Sequence, residues 1–152
     1  MTRKEAKLKL ANYCAYQERS QKEVRNKLYE TGLYQDEIEE IISELISENF
    51  LNEERFAKAF IGGKFRIKKW GRNKILMAIR QYDISDYCIK KGLQEIDSDD
   101  YNNTMEQIII AKNKGLSEDN IFVRRNKLAK YAMSKGFEAE LVWNFLKQHI
   151  DQ

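Results

Sequence analysis

Moved along itself by 51 residues without a gap, the sequence lays Val24 on Ile75, Leu28 on Ile79, Leu33 on Ile84, Ile38 on Ile89 and Ile42 on Leu93. Moved by 104, it lays Val24 on Leu128, Leu28 on Ala132, Gly32 on Gly136, Leu33 on Phe137, Ile38 on Val142 and Ile42 on Leu146. An apolar pattern that returns about every 50 residues describes stacked supersecondary units, each too small to bury its own apolar faces alone. Any two amphipathic helices align in part by coincidence. Agreement at five or six apolar positions in ungapped shifts fits repetition better. The expected architecture is all-α, with three tandem three-helix repeats at 1–49, 50–98 and 99–152.

The helices follow from local signals. The chain has no proline and only seven glycines in 152 residues, so it lacks the punctuation of sandwiches and barrels. The first helix is predicted over 4–17, with Leu8, Ala11, Ala15 and, on a flank, Cys14 on its apolar face. Ser20 caps the second, Glu23 completes a capping box, Val24 and Leu28 form the stripe, and Gly32 ends it. The third starts near Gln35. Its buried face is Ile38, Ile41, Ile42 and Leu45, and its acidic side, Glu37 to Glu48, is expected to be solvated. Asn52 caps the fourth helix, with Glu53 and Glu54 in its positive first turn and Phe56, Ala57, Phe60 and Phe65 along it. Gly71 separates a fifth helix carrying Ile75 and Ile79. Ser85 or Asp86 opens a sixth with Ile89 and Leu93 inward. The acidic stretch Asp97–Asp100 reads as a linker to the seventh, which runs to about Asn113.

The net charge of +3 is unevenly spread. Residues 50–96 hold 11 basic and 5 acidic side chains. Within them, 64–74 carries six basic residues and no acid. Cationic heads interleaved with Phe65 and Trp70 suit an anionic partner, either a phosphate backbone or an acidic protein surface. A helix C-terminus also attracts cations, which accounts for Lys68 and Lys69 without a partner. Phe65 is assigned to the core, and Trp70 is open between core and surface. A second cluster, Arg124-Arg125-Asn126-Lys127 followed by Lys130 and Tyr131, falls on the eighth helix, where Arg124 and Lys127 share a face. It reads equally as a binding surface or an exposed helix face. The candidate partner- or DNA-binding residues are Lys64, Arg66, Lys68, Lys69, Arg72, Lys74, Arg124, Arg125, Lys127 and Lys130. The first six are expected to be mostly exposed and to form the most positive patch, so that replacing Lys68, Lys69 and Arg72 by Ala weakens binding without unfolding.

No catalytic constellation appears. There is no phosphate loop, dinucleotide fingerprint, zinc spacing or nucleophile elbow. His149 is the only histidine and has neither a nucleophile nor further ligands beside it. Cys14 and Cys88 are too isolated for a metal site or disulfide framework. No apolar run approaches membrane-spanning length. The expectation is a non-enzymatic, cytoplasmic, monomeric binding protein without a cofactor. Two other classes remain open, a helix-turn-helix DNA reader and a helical-repeat scaffold for another protein. The acidic third helix argues against the reader.

Three motifs carry a family resemblance. They are Arg19-Ser20-x-x-Glu23-Val24-x-x-Lys27-Leu28-x-x-x-Gly32, then Phe50-Leu51-Asn52-Glu53-Glu54-Arg55-Phe56-Ala57, and Lys135-Gly136-Phe137, with Arg66, Gly71, Ile75 and Ile79 between. In these the chain resembles the RecX family over nearly its whole length. It departs at Glu53, where the family usually has Asp, and at Asp83-Ile84, where it commonly has Gly-Ile. Asp tolerates the left-handed conformation less well than Gly, so a differently shaped turn is expected there. Arg55 is expected to bridge repeats or to pair with Glu53 or Glu54. The resemblance implies an elongated, curved body that binds RecA filaments (protein with single-stranded DNA), with direct weak DNA binding a further option, and that restrains recombinase, ATPase and co-protease activities.

Overall fold

The computed structural model describes residues 1–150. Among these, nine α-helices and one 3-10 turn occur, and no strand. The helices are α1 (Arg3–Tyr16), α2 (Gln21–Tyr29), α3 (Gln35–Ser47), α4 (Glu53–Arg66), α5 (Arg72–Ile79), α6 (Asp86–Leu93), α7 (Ser98–Lys114), α8 (Ile121–Ser134) and α9 (Ala139–His149). Packing groups the residues into two compact units, one of 1–60 with 79–93 and one of 61–78 with 94 onward. Helices α4 and α5 therefore each contribute to both.

The first unit is built on α1–α3. The Ser20–Glu23 capping box is present at the start of α2, and Thr2 with Glu5 makes the same device at α1. Val24, Leu28, Ile38, Ile41, Ile42 and Leu45 are buried together with Ala6, Leu10, Ala11, Cys14 and Leu51. Gly32 (φ 81°) and Asn49 (φ 66°) take the left-handed conformation that follows α2 and α3. After α3 the Phe50 amide returns to the Leu45 carbonyl at 2.9 Å and the Asn49 amide to Ile46 at 3.1 Å. This is a Schellman closure with Asn in place of Gly. Burial pushes the Cys14 thiol up to about 11, so it stays protonated and packs as a small apolar group.

Helix α1 buries Ala11 and Cys14 as its pattern suggested, but its inward face is rotated away from Leu8 and Ala15. Ala6 and Leu10 are buried, whereas Leu8 and Ala15 are exposed. Two apolar stripes overlap on this helix, and the one covered by α2 and α3 is Ala6, Leu10 and Cys14, with Tyr13 packed beside it. Burying the Ala6–Leu10–Cys14 row places Arg3 and Lys7 against α3. Arg3 pairs there with Glu44 and Glu40, and Lys7 with Glu48 at 2.7 Å and Glu44 at 3.4 Å. The acidic side of α3, expected to be merely solvated, is thus largely matched within the chain. Arg25 adds a two-pronged contact to Glu39 at 2.8 and 2.9 Å and holds that carboxyl below its ordinary range.

Asn52 caps α4 by accepting from the Arg55 amide at 2.9 Å. Arg55 itself pairs with Glu18 at 2.9 Å, not with Glu53 or Glu54, and donates to Asn49 and to the Phe50 carbonyl. Glu53 accepts from the Gln21 amide at 2.9 Å, and burial raises its pKa. Helix α5 tightens into a 3-10 turn over Arg80–Tyr82, and Asp83 closes it in the left-handed conformation, φ 53° and ψ 46°. Asp makes this left-handed turn at some conformational cost. Ser85 caps α6 through the Cys88 amide. Ile89 and Leu93 are half-buried, while Gly92 and Ile96 are buried.

The second unit rests on α7–α9. Its core includes Ile61, Phe65, Ile75, Tyr101, Met105, Ile109, Leu128, Ala132, Phe137, Val142 and Leu146. The stretch Asp97–Asp100, expected as a linker, instead starts α7. The Asp97 side chain accepts from the Asp100 amide at 3.0 Å, and Asp99 and Asp100 occupy the first turn. Carboxylates belong at that positive end, which makes an acidic run as good a helix start as a linker. The C-terminal end of α8 meets the start of α5. The Gly71 amide donates to the Lys135 carbonyl at 2.8 Å and the Asn73 amide to the Gly136 carbonyl at 3.0 Å. Two helix ends thus satisfy each other's unpaired backbone groups. The approach requires both glycines, because a Cβ on Gly71 would stand 2.3 Å from the Gly136 carbonyl carbon.

Candidate functional site

The basic segment begins in the last turn of α4 and ends in the first turn of α5. Phe65 is buried, as the pattern indicated. Arg66, Ile67, Lys68 and Lys69 project beyond it and are exposed. Ile67 retains 80% of its exposure, an unusual setting for a β-branched apolar side chain between cations. The backbone reverses at Lys69, whose φ is 57°. The Trp70 amide then returns to the Lys64 carbonyl at 3.2 Å. Trp70 is half-buried, with the Lys64 ammonium 5.0 Å and the Lys74 ammonium 4.5 Å from its ring centre. Cations over an indole face are attracted by its quadrupole, so the ring gathers two charges beside the tip.

Lys64, Arg72 and Lys74 are half-buried and not mostly exposed as expected. Arg72 departs furthest. Its guanidinium lies 3.8 Å from the Tyr101 ring centre and bonds Glu138 at 2.9 Å. Tyr101 is fully buried between Phe65 and Phe137. Its hydroxyl donates to Glu138 and accepts from the Arg72 amide at 2.9 Å. Burial, with the Glu138 bond, pushes its pKa well above the ordinary tyrosine value. Arg72 therefore anchors the segment to the core, and replacing it by Ala is expected to destabilise the unit.

The second cluster is mostly occupied. Arg124 bonds the Asn113 side chain at 2.7 Å and the carbonyls of Asn113 and Glu118. Arg125 bonds the Ile150 carbonyl. Lys127 lies 3.8 Å from Glu118 and, like Lys130, is exposed. The structure brings this cluster to the α7–α8 connection and the end of α9.

Beside the basic tip, a groove of about 260 Å³ is lined by Phe65, Arg66 and Lys69 on one side and Asp100, Asn103, Thr104 and Gln107 of α7 on the other. Sequence reasoning missed the α7 side. Asn103 and Gln107 are one turn apart, but only the tertiary fold shows that they face Arg66 and Lys69. Among the described residues, no group of His, Cys, Asp and Glu is arranged to hold a metal ion, and no helix is long and apolar enough to cross a membrane.

Comparison with known proteins places this arrangement. Residues 6–45 match the model of the first three-helix domain of RecX, and residues 52–93 match that of the second. Together they cover more than half of the chain. The regulatory protein RecX of Clostridium perfringens strain 13 is 33% identical over 79% of this chain and 57% of its own length. That of Prosthecochloris aestuarii is 29% identical over 92% and 87%. The chain spans less than two thirds of the clostridial relatives it matches. A crystal structure of RecX from Lactobacillus salivarius superposes with a TM-score of 0.88 at 21% identity, covering 96% of this chain and 95% of that one. The motifs, the three-helix domains and the sequence relatives agree, and the chain belongs to the RecX family of regulatory proteins.

Proposed function

We propose that this protein binds RecA filaments and modulates, mostly by inhibition, their recombinase, ATPase and co-protease activities, acting by binding and not by catalysis. The observation that carries the reading, beside family membership, is the exposed tip of Arg66, Lys68 and Lys69 next to the lysine-flanked Trp70. Such a surface suits an anionic partner, whether the filament's protein or its DNA. The protein works as a cytoplasmic monomer whose three repeats, 1–49, 50–98 and 99–152, engage the filament as one ligand. Linked weak contacts gain effective concentration when several can form at once.

The test is RecA ATPase on single-stranded DNA, titrated with the full chain, together with its affinity for filament and for free RecA. Falling ATPase and a clear preference for filament support the reading. Unchanged ATPase overturns it, and equal affinity for filament and free RecA overturns the one-ligand mechanism. A sequence-specific footprint on duplex DNA would support a DNA reader instead.

A further inference from the structure

We propose that the groove between the C-terminal end of α4 and α7 is a nucleotide-binding site that takes one nucleotide of a single nucleic-acid strand, holding its phosphate with Arg66 and Lys69 and its base edge with Asn103, Gln107 and Asp100. This rests on the reading of the basic tip as an anion-binding surface, names the ligand that surface takes, and is tested without RecA.

The argument starts with the two walls. Arg66 and Lys69 are exposed cations one turn apart at the end of α4. Arg66 is placed there by an absence. A Cβ on Gly62 would lie 2.5 Å from its Nη2 and 2.9 Å from its Nη1. The guanidinium therefore lies close over the α4 backbone in the space that glycine leaves. The opposite wall is chemically different. Asn103 and Gln107 are exposed, Thr104 is half-buried, and all three side chains line the groove with their polar atoms uncommitted to other side chains. Asp100 stands at the first turn of α7. Phe65 supplies an apolar floor.

Charge complementarity calls for an anion, but the second wall narrows the choice. The carboxylates of an acidic protein surface need only donors and leave the acceptor groups of Asn103, Gln107 and Asp100 without a partner. A nucleotide carries a phosphate for the cations and a base edge that both donates and accepts. Amide side chains match such an edge with one donor and one acceptor group each, and a carboxylate accepts from an exocyclic amine. A nucleotide uses all the polar residues of the groove, and an acidic polypeptide is the competing ligand in the test.

The experiment uses the full chain and fluorescence anisotropy. The probes are a labelled single-stranded oligonucleotide of mixed sequence, an abasic strand of the same length, and polyglutamate as an acidic polypeptide. The unmodified protein is expected to bind the base-bearing strand about fivefold or more tightly than the abasic one, within the range of single-base contacts. Asn103→Ala with Gln107→Ala should abolish that preference and leave abasic binding unchanged. Arg66→Ala with Lys69→Ala should weaken both strands about tenfold and flatten the log–log salt slope by roughly 0.7, the loss of one phosphate contact on a single strand. Gly62→Ala is the independent check. It improves helix propensity yet displaces the Arg66 guanidinium, so weaker binding in a chain at least as stable supports the site. Equal affinity for the two strands, a preference that survives the Asn103 and Gln107 changes, or tighter binding to polyglutamate would each overturn the proposal.

Discussion

The two basic clusters look alike in sequence and differ in what their charges do. In 124–130 the two guanidiniums are spent on Asn113, Glu118 and the Ile150 carbonyl. In 64–74 the tip cations Arg66, Lys68 and Lys69 reach solvent, while Arg72 is committed to Glu138 and Tyr101. Charge density in a sequence counts cations. Availability depends on which carbonyls and carboxylates the fold brings beside them, and here that differs even between Lys69 and Arg72, three residues apart.

The comparison breaks most severely if the frame beneath the tip is not what holds it. Gly71→Ala drives a Cβ into the Gly136 backbone and is expected to cost about 3 kcal/mol, at the high end for overpacking, read as a lower urea midpoint. Next come the committed arginines. Arg124→Ala and Arg72→Ala should each destabilise by about 2 kcal/mol, the range for hydrogen bonds to a charged group. Arg124→Ala should leave nucleic-acid and filament affinity unchanged in the folded protein. Lost affinity at intact stability would place the second cluster in the interface after all. The triple change Arg66→Ala, Lys68→Ala and Lys69→Ala should reverse the pattern, with stability within about 0.5 kcal/mol of the parent and affinity reduced about tenfold. The smallest effect sharpens the contrast at one residue. Lys69→Gly relieves a left-handed lysine and should stabilise the fold by about 0.5 kcal/mol while weakening binding. A change of the same sign in both would mean that the charge of Lys69 serves the fold.

Much of the architecture was legible because caps and apolar spacing are local. Ser20 and Glu23, Asn52, Gly32 and the α3 stripe each act within one turn, and their roles follow from neighbours in sequence. Leu8 was misplaced because α1 carries two overlapping apolar stripes, and only the packing of the three helices shows that Ala6 and Leu10 are the covered ones. The acidic run at Asp97 was ambiguous for a related reason, since a linker and a helix N-terminus favour the same residues. The basic tip was visible as composition. The Arg72–Tyr101–Glu138 anchor and the α7 side of the groove were not, because their members lie 29 to 66 residues apart and nothing in their local spacing marks them.

The division of α4 and α5 between two compact units has a consequence for the chain as it is made. Residues 61–78 emerge from the ribosome well before their packing partners from 94 onward. Since domains fold as units during synthesis, Ile61, Phe65 and Ile75 wait uncovered until α7–α9 arrive, while residues 1–60 and 79–93 can already close. A stop codon after the second repeat would therefore do more than delete the third. It would leave the basic segment attached to a half-built core, and a shortened chain that failed to bind would say more about its folding than about which repeat touches the partner.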